Sequence, residues 1–291
     1  MSIPIVFIHY GNSDYLQYSL LQAKRSNQDK EIILIGDESN NNYPFIQHFH
    51  ANESISMKNF AKVYKHMNFN SYEYELFCIQ RWFILRDFMK AHKLEQCYYQ
   101  DSDVMLYEDI GKEDLSGFDF AFCGGISAGI SFINNVAALD TFCSFITNCY
   151  TQPELRLQLE NMYQNIITAI PHGGICDMVF VNLYCNNTDP EKIYDLSAIC
   201  NDAVFDLNIN LTEDYEEWFG RKKIYFTNKG VMCKNKSLDR WIRFKALHFQ
   251  GYAKTFMPYF LERIPEECNV PVSFNYSTRK WQEEPGVSFP H

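Results

Sequence analysis

Apolar positions are grouped along this chain in two ways: short unbroken runs, and longer stretches where they recur at helical spacing. Residues 3–8, Ile-Pro-Ile-Val-Phe-Ile, are an unbroken run, and Glu-Ile-Ile-Leu-Ile at 31–35 is nearly one. A segment apolar at successive positions reads as a parallel strand covered on both faces. Between the two, 14–26 places Tyr15, Tyr18, Leu20 and Leu21 on one side of a helix. Strand, helix and strand joined by short loops predict a βαβ unit. The polar turn His9-Tyr10-Gly11-Asn12-Ser13 follows the first run, and Gly36-Asp37-Glu38 follows the second.

Residues 45–50 read as a short edge strand in an Asn-rich stretch. A helix is expected over 56–67 through Phe60, Val63, Tyr64 and Met67. Another, over 73–90, buries Leu76, Ile79, Phe83 and Ile84, with Trp82 and Phe88 widening that side. A strand over 96–100 runs into Asp101-Ser102-Asp103, and Val104-Met105-Leu106 continues apolar. The run 118–123 ends in Gly124-Gly125, and 127–133, which holds Ala128-Gly129, looks extended. Helices suit 136–149 and 153–168, with a break at Pro171-His172-Gly173-Gly174. Segment 175–186 carries Asp177 and then a helix with Met178, Val181 and Leu183 inward. From 191 onward short strand-like runs alternate with Pro and Gly turns. The whole predicts an α/β fold: a Rossmann-type mixed, mostly parallel sheet flanked by helices. Its expected organisation is a core over 1–255 and a C-terminal extension over 256–291 packed against it; Phe256, Met257, Tyr259 and Phe260 supply the contact or, as the alternative, meet a membrane surface, and the lack of a polybasic cluster beside them favours packing.

Composition narrows the class. A chain of 291 residues buries a full core. Its 24 Phe, 19 Tyr and 4 Trp, with 46% hydrophobic residues, argue against disorder. The net charge of −10 argues against a general nucleic-acid binder, while leaving room for one basic pocket. The ten cysteines form no CxxC pair, so a zinc knuckle or a dithiol centre is poorly supported. They read as buried thiols in a reducing compartment. The start, MSIPIVFIHY, has no basic n-region or cleavage site, and no run has the length to cross a bilayer. A cytoplasmic protein is the expectation.

The sharpest chemistry lies in Tyr98-Tyr99-Gln100-Asp101-Ser102-Asp103-Val104. An apolar strand delivers two carboxylates one residue apart, and like charges so close raise each other's cost unless a cation intervenes. Mg²⁺ or Mn²⁺ does this through oxygen ligands and also accepts phosphate oxygens. The plain alternative is an Asp-rich turn closing a strand. His248, in Leu247-His248-Phe249-Gln250-Gly251-Tyr252-Ala253-Lys254, offers an imidazole as a third ligand. Lys254 is suited to hold a phosphate as a point charge, and Gly251 to let the backbone approach it. Otherwise these are a half-buried histidine and a surface lysine. The polar run 212–223 reads as a solvated face anchored by Trp218.

Taken in order, His9-Tyr10-Gly11, Gly36-Asp37, Glu75 with Arg81-Trp82-Phe83, Asp101-Ser102-Asp103, Ala128-Gly129, Asp177 and His248-Phe249-Gln250-Gly251 resemble the GT-A glycosyltransferases over roughly residues 3–255. These are metal-dependent enzymes that use nucleotide-diphosphate sugars. The resemblance implies that His9, Tyr10 and Gly11 line a nucleoside pocket and that Asp37 approaches the base or ribose. It implies Arg81 near the diphosphate or donor sugar. Asp103 and His248 become direct ligands of Mn²⁺ or Mg²⁺, and Asp101 reaches the metal through water or the ribose. Ser102, Gly251 and Lys254 join the donor-binding set, Ala128-Gly129 form the floor under the sugar, and Asp177 contacts sugar hydroxyls or the acceptor. The implied partners are a nucleotide-sugar donor, UDP-linked by preference, and a hydroxyl acceptor such as a glycan. Asp177 is the candidate base for an inverting reaction; in a retaining one it orients the sugar.

Three other classes compete. A metal-dependent nucleotidyltransferase or sugar-phosphate enzyme would carry a Gly-rich, basic loop after the first strand, and His9–Ser13 has neither property. A dinucleotide-binding enzyme would show GxGxxG there. A non-catalytic nucleotide-sugar or glycan-binding protein is compatible with the same residues.

Overall fold

In the computed structural model, which describes residues 3–51, 54–287 and 289, the opening run becomes β1 (Ile5–Ile8) and the second becomes β2 (Ile32–Gly36), joined by α1 (Asp14–Ser26). Both strands are buried at every position. Ile5 and Phe7 pack in one cluster with Leu16, Leu20 and Ala23 of α1, whereas Val6 and Ile8 pack in another with Trp82, Phe83 and Phe142. Burial on both faces is why the period-two alternation of a half-exposed strand is missing here.

The edge strand appears as β3 (Gln47–His50), followed by α2 (Ile55–Ala61), α3 (Tyr72–His92), β4 (Cys97–Gln100) and β5 (Val104–Leu106). After β6 (Phe120–Cys123) and β7 (Ser127–Ile133) come α4 (Val136–Thr151), α5 (Pro153–Ala169), α6 (Asp177–Asn187) and β8 (Ile193–Asp195). The first sheet has the order β3-β2-β1-β4-β7-β6-β8. The architecture is α/β with this sheet flanked by helices.

The first sheet is mixed, with four parallel and two antiparallel pairings, and the expectation of a mostly parallel sheet is met only in part. β1, β2, β3 and β4 pair in parallel, but β7 runs antiparallel to both β4 and β6. A second sheet is built from β9 (Ala203–Phe205), β12 (Tyr225–Thr227), β13 (Gly230–Asn235), β14 (Arg240–His248), β15 (Val272–Asn275) and β16 (Lys280–Glu283), together with β5. It is antiparallel apart from the β9–β14 pairing. The runs that form β1 and β2 do pair in parallel, but β6 and β7 are buried just as completely while pairing antiparallel, so burial on both faces alone does not fix strand direction. The short strands β10 (Glu217–Trp218) and β11 (Arg221–Lys222) form a separate hairpin. The helix α7 (Met257–Leu261) packs Met257 and Phe260 with Phe226 and Phe274 of the second sheet and with Phe249, just beyond β14. Residues 288, 290 and 291 of the expected extension lie outside the described residues.

Several expected faces differ. α2 ends at Ala61, not at residue 67; Phe60, Tyr64 and Met67 are buried, but the last two reach the core from the turn beyond it. Val63, Leu21 and Met178 are exposed. In α1 the inward residues are Leu16, Leu20 and Ala23, and in α6 Phe180 and Val181. Among the cysteines Cys200 is exposed and six are buried. Lys222, inside the run read as solvated, is buried. Among the described residues no helix is long and apolar enough to cross a membrane.

Candidate metal centre and its surroundings

Asp101-Ser102-Asp103 is the point where the chain leaves the first sheet and enters the second, since β4 belongs to one and β5 to the other. β14 returns antiparallel to β5 with His248 opposite Val104, and the Phe249 N–H donates to the Asp103 carbonyl at 2.8 Å. Strand register therefore brings His248 beside Asp103 across a long sequence separation. From the other side β7 lies against β4, and the Asp101 N–H donates to the Gly129 carbonyl at 2.8 Å.

One ligand atom from each of Asp101, Asp103 and His248 lies within 4.8 Å of the others. His248 Nε2 is 3.3 Å from Asp103 Oδ1, and Lys254 Nζ is 3.1 Å from Asp103 Oδ2. Burial alone would raise the Asp103 pKa, but His248 and Lys254 outweigh it and hold the carboxyl well below the usual carboxylate range. For His248 the burden of burial is likewise overcome by Asp103, which raises its pKa. Two carboxylates and an imidazole, two of the three buried, suit a hard or borderline divalent cation. Gly129 fits the same picture. A Cβ there would stand 2.6 Å from His248 Cε1 and 3.3 Å from Asp101 Oδ2, so only glycine leaves this wall open.

Arg81 projects from α3 between two acids. Its guanidinium donates to Asp101 Oδ1 at 2.5 Å and also pairs with Asp177 at the start of α6. Burial works against its charge, yet Asp101 and Asp177 push its pKa well above the ordinary value. The Tyr99 hydroxyl also donates to Asp101 Oδ1, at 2.7 Å. Around the first-strand turn, Ser102 Oγ and His9 Nδ1 are 2.9 Å apart, and the Gly11 N–H donates to Asp37 Oδ2 at 2.7 Å. Asn40 Nδ2 ties this turn together by donating to the carbonyls of His9 and Gly11. Burial lowers the His9 pKa. Tyr10 stacks on Phe77 with centroids 4.2 Å apart and stays 39% exposed. Gly251 has φ +61 with nothing within 4 Å of a Cβ, so glycine is required here by backbone conformation.

The structure thus gathers Asp101, Asp103, His248, Lys254, Arg81, Asp177 and Gly129 in one chain of contacts, with His9, Ser102 and Asp37 joined to it through the β1 turn. Ala128 is different, its side chain lying in the core cluster with Phe120 and Phe122. Trp82 is wholly buried there too. Sequence reading missed Tyr99, although it sits two residues before Asp101, the spacing that puts both on one strand face. It also missed Asp206 and Lys222, which pair at 2.9 Å in the interior; neither carries a local motif. Glu75 is buried and accepts from Asn70 at 3.0 Å.

No protein-family model matches the chain, and no curated protein does. Among solved structures it is similar to mouse xyloside xylosyltransferase 1, at 10% identity over 71% of this chain and 89% of that one, TM-score 0.49. It is also similar to the galactosyltransferase LgtC, at 10% identity over 91% and 99%, TM-score 0.45. The glycosyltransferase GlyE of Streptococcus pneumoniae is 15% identical over 67% of this chain and 46% of that one, TM-score 0.36. At such identities and scores no residue's role carries across.

Proposed function

We propose that this chain is a GT-A-like, metal-dependent glycosyltransferase that moves a sugar from a nucleotide-diphosphate donor, UDP-linked by preference, to a hydroxyl acceptor such as a glycan. The observation that carries this reading is the convergence of Asp101, Asp103 and His248 at the junction of two sheets, with ligand atoms within 4.8 Å. Asp103 and His248 would hold Mn²⁺ or Mg²⁺ directly, and Asp101 directly or through water. When bound, such a cation supplies positive charge against the diphosphate as it leaves.

The chain's own residues do the rest. Lys254, now on Asp103, stands ready to add fixed positive charge for a phosphate. The β1 turn, stiffened by Asn40 and by Asp37 on Gly11, offers its edge to the nucleoside. Arg81 holds Asp101 and Asp177 at a set separation, so Asp177 presents a fixed carboxylate for hydroxyl groups of the sugar or acceptor. Gly129 keeps the floor free of side-chain atoms next to His248.

The test is a thermal-shift panel of UDP-, GDP- and CMP-sugars with and without Mn²⁺, followed by release of nucleoside diphosphate for each hit. Asp103→Ala is expected to abolish metal-dependent release while circular dichroism stays native. Normal turnover in that variant, or in excess chelator, overturns the reading. Binding of a nucleotide sugar with no release would favour a non-catalytic binding protein.

A further inference from the structure

We propose that the buried Asp206–Lys222 pair is a positioning device that fixes the His248 imidazole with Nε2 presented as a cation ligand. The proposal rests on the reading of Asp101, Asp103 and His248 as a metal centre. One short segment, 206–209, holds His248 at three points. The His248 N–H donates to Asp206 Oδ2 at 3.1 Å, its carbonyl accepts from the Ile209 N–H at 3.0 Å, and its Nδ1 lies 3.0 Å from the Leu207 carbonyl. A carbonyl oxygen only accepts, so a proton sits on Nδ1, and Nε2, the atom facing Asp103, is the nitrogen left to ligate a cation. The second hydrogen bond of a ligating histidine sets its tautomer and ring orientation in this way.

Lys222 fastens that segment from behind. Its Nζ donates to Asp206 Oδ1 at 2.9 Å and to the Asn208 carbonyl at 2.6 Å. Its own N–H donates to the Ile209 carbonyl at 3.0 Å, and the Tyr276 hydroxyl donates to its carbonyl at 2.8 Å. Asp206 is 1% exposed and Lys222 3%, so both charges are removed from water. A buried ion pair contributes little net stability compared with apolar side chains of the same volume. Stability therefore gives no reason for charge at this position, whereas orientation of His248 does. The β10–β11 hairpin is tied to the metal centre through this pair.

Two double variants separate positioning from mere structure. Asp206→Asn with Lys222→Met removes both charges and keeps an oxygen able to accept from the His248 N–H; Asp206→Ala with Lys222→Met removes that oxygen as well. Mn²⁺ affinity is measured by calorimetry, and the imidazole ¹⁵N shifts of His248 are recorded in metal-free protein. The Ala-Met variant is expected to bind Mn²⁺ about 10–100-fold more weakly and to lose the hydrogen-bonded Nδ1–H, and the Asn-Met variant, which keeps the acceptor but not the Lys222 clamp on segment 206–209, to fall between it and the unsubstituted protein. Unchanged affinity and shifts in the Ala-Met variant, or an Asn-Met variant indistinguishable from the unsubstituted protein, overturn the proposal. If the Ala-Met variant does not fold, Lys222→Gln takes its place, and unchanged His248 shifts there overturn it equally. Should the unsubstituted protein bind no Mn²⁺, the metal reading fails, and the Nδ1–H comparison still decides whether the pair orients His248.

Discussion

A methyl group added at Gly129 would stand 2.6 Å from His248 Cε1, closer than side-chain carbons approach one another. His248 has little freedom to yield, because the segment 206–209 holds both its backbone and its Nδ1. Gly129→Ala is therefore expected to turn the imidazole or displace Asp101, and to reduce metal-dependent donor turnover by about tenfold or more, since displacements of this size cost catalysis strongly. The same overpacking is expected to cost about 1–3 kcal/mol, which lowers the melting temperature by a few degrees and leaves the protein folded in the assay. Activity assays beside a thermal melt check this, and full activity with a native melt would mean that the wall at residue 129 is not part of the site. Residues of this kind divide by legibility. Asp101 and Asp103 announce themselves because two acids one apart at the end of an apolar strand demand a neutralising partner. Asp206 and Lys222 do not, since a lone acid and a lysine within Arg-Lys-Lys look like ordinary surface until the fold pairs them.

Between elements, Asp87 couples α3 to the start of α2. Its Oδ2 accepts from Ser54 Oγ at 2.7 Å and from the Ser56 N–H, and its Oδ1 accepts from Ser56 Oγ and from the Arg86 guanidinium. Ser54 is also the N-cap of α2, accepting from the Met57 N–H. Burial opposes the charge of Asp87, but the hydrogen bonds from Ser54, Arg86 and Ser56 prevail and lower its pKa. A folded-state pKa below the unfolded one adds stability that is full above the unfolded value, about 3.9, and is lost as pH falls through the folded value. Asp87→Asn is accordingly expected to cost about 1–3 kcal/mol near neutral pH, with the gap between variant and parent closing below about pH 4. Denaturant titrations across pH measure it; a gap that persists unchanged into acid would show that the charge is not the agent. At this scale the sequence was legible where one element supplies its own signal. The 3.6-residue pattern of α3 shows its buried Leu76, Ile79 and Phe83, and the unbroken runs show β1 and β2. It was not legible where a neighbour decides. Phe60, Tyr64 and Met67 keep helical spacing, yet the helix stops at Ala61 and the last two are buried from a turn. The antiparallel insertion of β7 beside β4 left no trace in composition, because both faces are covered either way.

At the scale of the molecule, the candidate site exists because two sheets share one crossing strand. β4 ends in the first sheet, β5 begins in the second, and Asp101-Ser102-Asp103 spans the gap. His248 arrives through the β5–β14 register and Gly129 through β7 and β4, so the metal centre depends on both sheets being in place. The C-terminal region bears directly on the second. β15 pairs with β12, and Met257, Phe260 and Phe274 fill the cluster that also holds Phe249, the residue after His248. Each such side chain contributes about 1.5–3 kcal/mol when fully buried. Three of them together rival a good part of the roughly 5–15 kcal/mol that separates a folded domain from its unfolded chain. A chain cut after residue 255 is therefore expected to lose cooperative unfolding and near-ultraviolet dichroism, and with them Mn²⁺ binding, because the cut uncovers Phe226 and Phe249 and frees the edge of β12. The alternative is a truly separable extension, with 1–255 a self-sufficient core. In that case the truncated protein would melt in one sharp transition and bind Mn²⁺ as the full chain does. Scanning calorimetry and Mn²⁺ titration on the two lengths distinguish these outcomes directly.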